Sequence, residues 1–201
     1  MMAEPSEQFD PRAIIAALER NYVDYVIIGG LARVLRGSDE LTRGVDICPA
    51  LTPNNDERLV EAGLELDSRH GGRRRRTLEQ IALAGEDVIE LRTTAGELKL
   101  VPAPAGVPGG FADLRRAATR EHLGNRLRPP VASTADLARM TAALRREQDI
   151  ERLRELRRIM ELEVEREPVA PLKVQSPSEV TRGPREWARL RERDRERGME
   201  R

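Results

Sequence analysis

Residues 25–49 constrain the fold of this chain more than any other stretch. Tyr25-Val26-Ile27-Ile28 is a short apolar run ended by Gly29-Gly30, the length and ending of a buried strand followed by a tight turn. Leu31 to Leu35 then reads as a short helix closed by Gly37, and Val45-Asp46-Ile47-Cys48 as a second strand stopped by Pro49. A strand, a glycine turn, a helix and another strand in close succession imply an α/β fold with a small mixed sheet flanked by helices. The turn also has chemical meaning. Without a Cβ, Gly29 and Gly30 let an anionic group approach the backbone, and the N–H groups that open the following helix point at it.

The flanking segments extend that architecture. Pro11 to Tyr22 reads as a helix with Asp10 as its N-cap, and Ile14, Ile15, Leu18 and Tyr22 recur on one face. Asn54 or Asn55 is the expected cap of a helix from Asp56 to Leu66 that buries Leu59, Val60, Ala62, Gly63 and Leu66. Residues 68–85 are polar and contain glycine, with a short helix expected at Leu78 to Ala82. Val88 to Thr93 and Glu97 to Val101 form two strands joined by Thr94-Ala95-Gly96. Pro102 to Gly110 is a loop, and Phe111 to Thr119 a short helix. Ser133 and Asp136 make a capping-box variant before Leu137, Met140 and Leu144; Asp149 opens a further helical run with Leu153, Leu156 and Met160. The domain is therefore expected over residues 11–166, its C-terminal part (134–166) helical. Residues 1–10 are expected to be disordered. Residues 167–201, with Pro168, Pro171, Pro177 and Pro184, form a linker and a charged, disordered tail in which Trp187 is the one large apolar residue.

Composition excludes some functions. The chain has 201 residues, enough for one domain with a real core. Its 35 basic and 35 acidic residues cancel, so no whole-molecule field draws it to nucleic acid or membrane. No run approaches the roughly 18 apolar residues of a membrane span. The polar N-terminal stretch carries no secretory segment and Cys48 has no second cysteine to pair with, so a cytoplasmic location is expected. Lysine is nearly absent, only Lys99 and Lys173, and arginine supplies the other positive charges. Arg73-Arg74-Arg75-Arg76, with Arg69 and His70 before it, is the densest positive cluster and the basis of an RNA-binding reading. The arginine bias favours a solvated loop, and none of the five aromatic residues lies beside the cluster to stack on bases. His70 and His122 are isolated and lack metal-ligand spacing, which makes them surface side chains; Cys48, in an apolar strand, is a core residue.

Tyr25-Val26-Ile27-Ile28-Gly29-Gly30-Leu31-Ala32 followed by Leu41-Thr42-Arg43-Gly44-Val45-Asp46-Ile47 resembles the opening of the nucleotidyltransferase (polymerase β-like) superfamily. In particular it is similar to AbiEii-type and related small bacterial nucleotidyltransferase-like proteins. Glu90 to Val101 resembles their later hairpin, and Asp136-Leu137-Ala138-Arg139-Met140, running on to Asp149, their C-terminal helical segment. The resemblance covers about Pro11 to Glu165 in the expected order. It implies nucleotidyl transfer from a nucleoside triphosphate, with Gly29 and Gly30 at the phosphates and Mg²⁺ held by carboxylates. Active relatives carry Asp-x-Asp on the strand after the turn and a third carboxylate on the hairpin. Here only Asp46 matches: Gly44 stands at the first position and Lys99 at the third, while a lysine common on the C-terminal helix falls at Thr141.

Losing the ligand at Gly44 weakens metal binding, because Mg²⁺ takes one or two protein carboxylates and keeps several waters. Lys99 is the graver change. A unit charge about 4 Å from a divalent ion, at an effective dielectric near 20, changes the energy by roughly 8 kcal/mol per sign. It also removes the general base for an acceptor hydroxyl. The expectation is a degenerate site in which Asp46 is the remaining catalytic and metal-binding carboxylate and Lys99 joins Gly29 and Gly30 in binding nucleotide. Such a protein would bind a nucleoside triphosphate, an antitoxin-like protein or RNA in a toxin–antitoxin context, the context resting on the resemblance. Two alternatives stay open: an active transferase that uses Asp46 with Glu97, Asp39 or Glu40, and an RNA-binding module built on the arginine loop.

Overall fold

The computed structural model describes residues 9–69 and 88–166, which belong to one compact unit ending at Arg166. Residues 1–8, the arginine cluster, the helix expected at 78–82 and the tail expected at 167–201 lie outside the described residues.

Helix α1 (Pro11–Arg20) starts as its sequence requires. The Asp10 carboxylate accepts from the N–H groups of Arg12 (2.9 Å) and Ala13 (3.2 Å), and Pro11 takes the first helical position. Its buried face is Ile14, Ile15, Ala17 and Leu18. Phe9 and Asp10, the last two residues of the N-terminal stretch expected to be disordered, are placed. Phe9 packs against the core and Asp10 N–H donates to Ala95 O at 2.9 Å.

Among the described residues the sheet has six strands in the order β3-β4-β2-β1-β6-β5. β1 (Tyr25–Ile28) is buried along its whole length, as a strand covered on both faces must be. It pairs antiparallel with β2 (Gly44–Pro49), Ile28 opposite Asp46. β2 pairs parallel with β4 (Gly96–Leu100), Asp46 opposite Lys99. β4 pairs antiparallel with β3 (Ile89–Thr93). On its other side β1 pairs parallel with β6 (Pro130–Val131), itself antiparallel to β5 (Thr119–Arg120). The mixed α/β sheet flanked by helices is the one expected. The two-residue strands β5 and β6 were not anticipated, because they are too short to carry a period-2 signal.

Several local boundaries differ from the sequence reading. Helix α1 ends at Arg20 rather than Tyr22, which lies exposed beyond it instead of on the apolar face. Helix α2 (Gly29–Leu35) begins at Gly29 itself rather than at Leu31, with Gly29 in the left-handed region at φ +65°. Helix α3 (Pro53–Glu65) is capped by Thr52, whose hydroxyl accepts from Asn55 N–H, and not by Asn54 or Asn55. Asn55 is instead buried: its carboxamide accepts from Asp24 N–H (2.7 Å) and donates to Asp24 O (3.0 Å) and Ala50 O (2.8 Å). The β3–β4 turn is Thr94-Ala95, with Gly96 already paired to Thr93. Val60 lies only half-buried on α3.

The remaining helices of the described residues are α4 (Gly110–Ala117), α5 (Thr134–Leu144, capped by Ser133) and α6 (Ile150–Arg166), with a 3₁₀ turn at Glu147–Asp149 between the last two. The core is continuous from Ile14 and Leu18 through Ile27, Ile47 and Leu98 to Leu137 and Leu156. Cys48 sits within it, as expected. No helix of the described residues is long and apolar enough to cross a membrane.

Candidate functional site

Asp46 and Lys99 are brought together by register rather than by sequence. Parallel pairing of β2 with β4 sets them opposite one another, so both side chains leave the same face of the sheet. The antiparallel β3–β4 pair then sets Glu90 opposite Lys99. Lys99 Nζ lies 2.9 Å from Glu90 Oε1 and 3.6 Å from Glu97 Oε2. The hydrogen bond to Glu90 raises the Lys99 pKa above its ordinary value of 10.5; partial burial opposes the rise, and the charges of Glu97, Glu90 and Asp46 reinforce it. Lys99 is therefore a firmly held cation at neutral pH.

Asp46 is half-buried, and burial pushes its carboxyl above the ordinary 3.8. The Lys99 ammonium, a hydrogen bond from the Gly30 N–H and the Arg33 guanidinium pull it back, while Glu97 adds repulsion. Its position explains the glycine turn. A Cβ placed on Gly29 would lie 1.9 Å from Asp46 Oδ2, and one on Gly30 would lie 2.9 Å from Thr42 Oγ1. Thus the first group to approach the Gly-Gly backbone is the chain's own carboxylate. Gly44, two residues before Asp46, pairs with Glu97 and offers no side-chain ligand; a Cβ there would sit 3.3 Å from Glu97 Cβ.

These residues open onto a cleft of about 390 Å³ between the sheet and α5. Its charged lining is Arg33, Lys99 and Arg146 against Asp46 and Glu90; Ile28, Val101, Leu137, Met140 and Leu144 supply apolar walls. Thr141 lines it too, its hydroxyl already donating to Leu137 O at 2.7 Å within α5. Leu144, expected as helix packing, is half exposed at the cleft wall instead. Arg33 is fixed by Glu40 (2.8 Å). Glu40 also meets Arg152 (3.5 Å), which pairs with the buried Asp149 (2.7 Å). Glu40 is thereby engaged outside the cleft. Asp39 is exposed, its backbone N–H donating to Glu155.

The sequence reading named Asp46, Lys99, Gly29, Gly30, Gly44 and Thr141, and the fold gathers them at or beside this cleft. It missed Glu90, Arg33 and Arg146. Glu90 was legible from hairpin register: a two-residue turn at Thr94-Ala95 sets 90 opposite 99, whereas a three-residue turn sets Leu91 there. Arg33 follows Gly29 by four residues, one helical turn on the same face. Arg146 has no such signal.

Among the described residues no group of three or more His, Cys, Asp and Glu side chains could hold a metal ion. Glu90 and Glu97 approach Asp46 only with the Lys99 ammonium among them, so the donor set does not fit a pair of magnesium ions. His122 is exposed, as expected. Burial pushes the Cys48 thiol up to about 12, which removes it as a thiolate nucleophile.

No protein family's sequence profile matches the chain, and no curated protein matches it. Among solved structures, a candidate nucleotidyltransferase from Thermotoga maritima is similar at 17% identity, over 77% of this chain and 91% of that chain, with a TM-score of 0.43.

Proposed function

We propose that this is a nucleotidyltransferase-fold protein of the AbiEii-like kind that binds a nucleoside triphosphate in the Asp46–Lys99 cleft, with two-metal nucleotidyl transfer lost or much reduced. One observation carries the reading: Lys99 stands directly across the sheet from Asp46, its ammonium held by Glu90 at 2.9 Å. A fixed cation at that place neutralises phosphate oxygens without a metal, and Arg33 and Arg146 line the same cleft. The apolar wall of Leu137, Met140 and Leu144 gives a base or sugar a surface away from water. An antitoxin-like protein or RNA is the further partner proposed, in a toxin–antitoxin context that rests on the sequence resemblance.

Calorimetric titration with each nucleoside triphosphate, with and without Mg²⁺, tests the proposal. Binding should persist in EDTA and weaken at least ~10-fold in Lys99→Ala, the loss of one charge-assisted contact. Transfer of radiolabel from a triphosphate to RNA or protein by the wild type, abolished in Asp46→Asn, would establish an active enzyme and sink the reading.

A further inference from the structure

A second charged depression lies at the other end of β1 from Asp46. It measures about 370 Å³ and shares no residue with the cleft. Arg58 of α3, Arg115 of α4 and Arg120 of β5 converge on it from distant parts of the chain. Its two carboxylates are already engaged. Glu19 accepts the Tyr25 hydroxyl at 3.0 Å, and Asp24 pairs with Arg58 at 3.3 Å. Arg120 donates to the backbone oxygen of Arg128 at 2.9 Å. Among the described residues neither Arg115 nor Arg120 has a carboxylate partner. Three guanidinium groups against two carboxylates leave the concavity one net positive charge, with Arg115 and Arg120 outside any ion pair, on a chain whose net charge is zero.

The rim carries an independent anomaly. Tyr22 is 78% exposed and lies at φ +54°. It follows α1 where Tyr22 N–H bonds Glu19 O (3.1 Å) and Val23 N–H bonds Leu18 O (3.0 Å), a helix ending whose left-handed residue is ordinarily glycine or asparagine. A large ring here contributes little to the core and is disfavoured by its own backbone. Residues kept in such conformations cluster at ligand sites. The chain has five aromatic residues, so its exposed tyrosine falling beside two arginines that make no ion pair is a specific coincidence.

We infer that this depression binds a nucleoside 5′-phosphate unit, its phosphate on the Arg115 and Arg120 guanidinium groups and its base stacked on the Tyr22 ring. Guanidinium forks match phosphate oxygens in pairs, and an exposed ring accepts the flat face of any base. The unit comes either from a free mononucleotide or from the 5′ end of a single strand.

Amide NMR of the full chain, titrated with AMP, a 5′-phosphorylated oligouridylate and inorganic phosphate, tests this. The amides of Tyr22, Val23, Arg115 and Arg120 should shift saturably with AMP or the oligonucleotide, and continue to do so in Lys99→Ala, which separates this site from the cleft. Saturation by AMP identifies a free nucleotide as sufficient; saturation by the oligonucleotide alone identifies a strand end. Arg115→Ala/Arg120→Ala should weaken binding at least ~10-fold. Tyr22→Gly should weaken AMP or oligonucleotide binding at least ~5-fold, leave phosphate binding unchanged and melt no lower than the wild type, so that misfolding cannot account for the loss. Absence of saturable shifts with both nucleotide probes overturns the inference, as does undiminished affinity in either variant.

Discussion

At the scale of single residues, Gly29 and Asp46 compete for one small volume. A side chain at Gly29 would collide with the carboxylate, 1.9 Å from its Oδ2, on a backbone already at φ +65°. Gly29→Ala thus incurs two costs. The left-handed conformation with a Cβ costs about 1 kcal/mol, and displacing Asp46 from the Gly30 N–H forfeits a charged hydrogen bond of about 1.5–3 kcal/mol. A loss of roughly 2–4 kcal/mol in urea unfolding is expected. In an Asp46→Ala background only the backbone cost remains, so the pair should be non-additive by about 1.5–3 kcal/mol. Additive effects would show that glycine is required for its backbone alone. The glycines and the aspartate were legible as residues, because strand, turn and strand follow one another. Their contact was not, since it depends on how β2 lies against β1.

At the scale of elements, short-range signals gave the helices, while the chemistry of each terminus depended on contacts beyond reach of local reading. α3 shows the distinction. Thr52, Asn54 and Asn55 are all capping residue types, and only the three-dimensional position separates them. Thr52→Ala should cost about 1 kcal/mol, the ordinary value of a lost cap. Asn55→Ala should cost more, about 2 kcal/mol, because it leaves the Asp24 N–H without its acceptor and takes one of two donors from Asp24 O and from Ala50 O, which keep the N–H groups of Ala50 and Thr52. Equal losses in chemical denaturation would mean that water replaces the carboxamide. The β3–β4 hairpin follows the same logic. One residue more or less in its turn moves every cross-strand neighbour, so Glu90 faces Lys99 only because Thr94-Ala95 alone closes the turn. The helices α5 and α6 were plain from their apolar spacing, whereas β5 and β6 are set by partners alone.

At the scale of the whole molecule, the sheet is completed by a strand that returns a hundred residues later, and Arg36 is the clamp that receives it. Arg36 Nε donates to Ala132 O (3.0 Å), Nη2 to Val131 O (3.0 Å), and Nη1 meets Glu121 (2.9 Å). One nearly buried guanidinium just past α2 therefore binds the end of β6, the start of the α5 segment and the residue after β5 together. Arginine bias in composition concealed this role, because nothing local distinguishes Arg36 from its neighbours. Arg36→Ala removes the guanidinium donor from two carbonyls and from the Glu121 carboxylate, which keeps the Thr119 hydroxyl, and should cost roughly 3 kcal/mol. Arg36→Lys should recover less than half of it, since one ammonium cannot span three acceptors held in a planar fork. The loss should also be local before it is global. Hydrogen exchange at the Ala132 amide, which donates to Ile27 O at 3.0 Å, should quicken in Arg36→Ala at denaturant concentrations where the Ile47 and Leu98 amides of the sheet centre remain protected. Equal acceleration at all three would place Arg36 in the cooperative core of the fold rather than at a seam between its early and late halves.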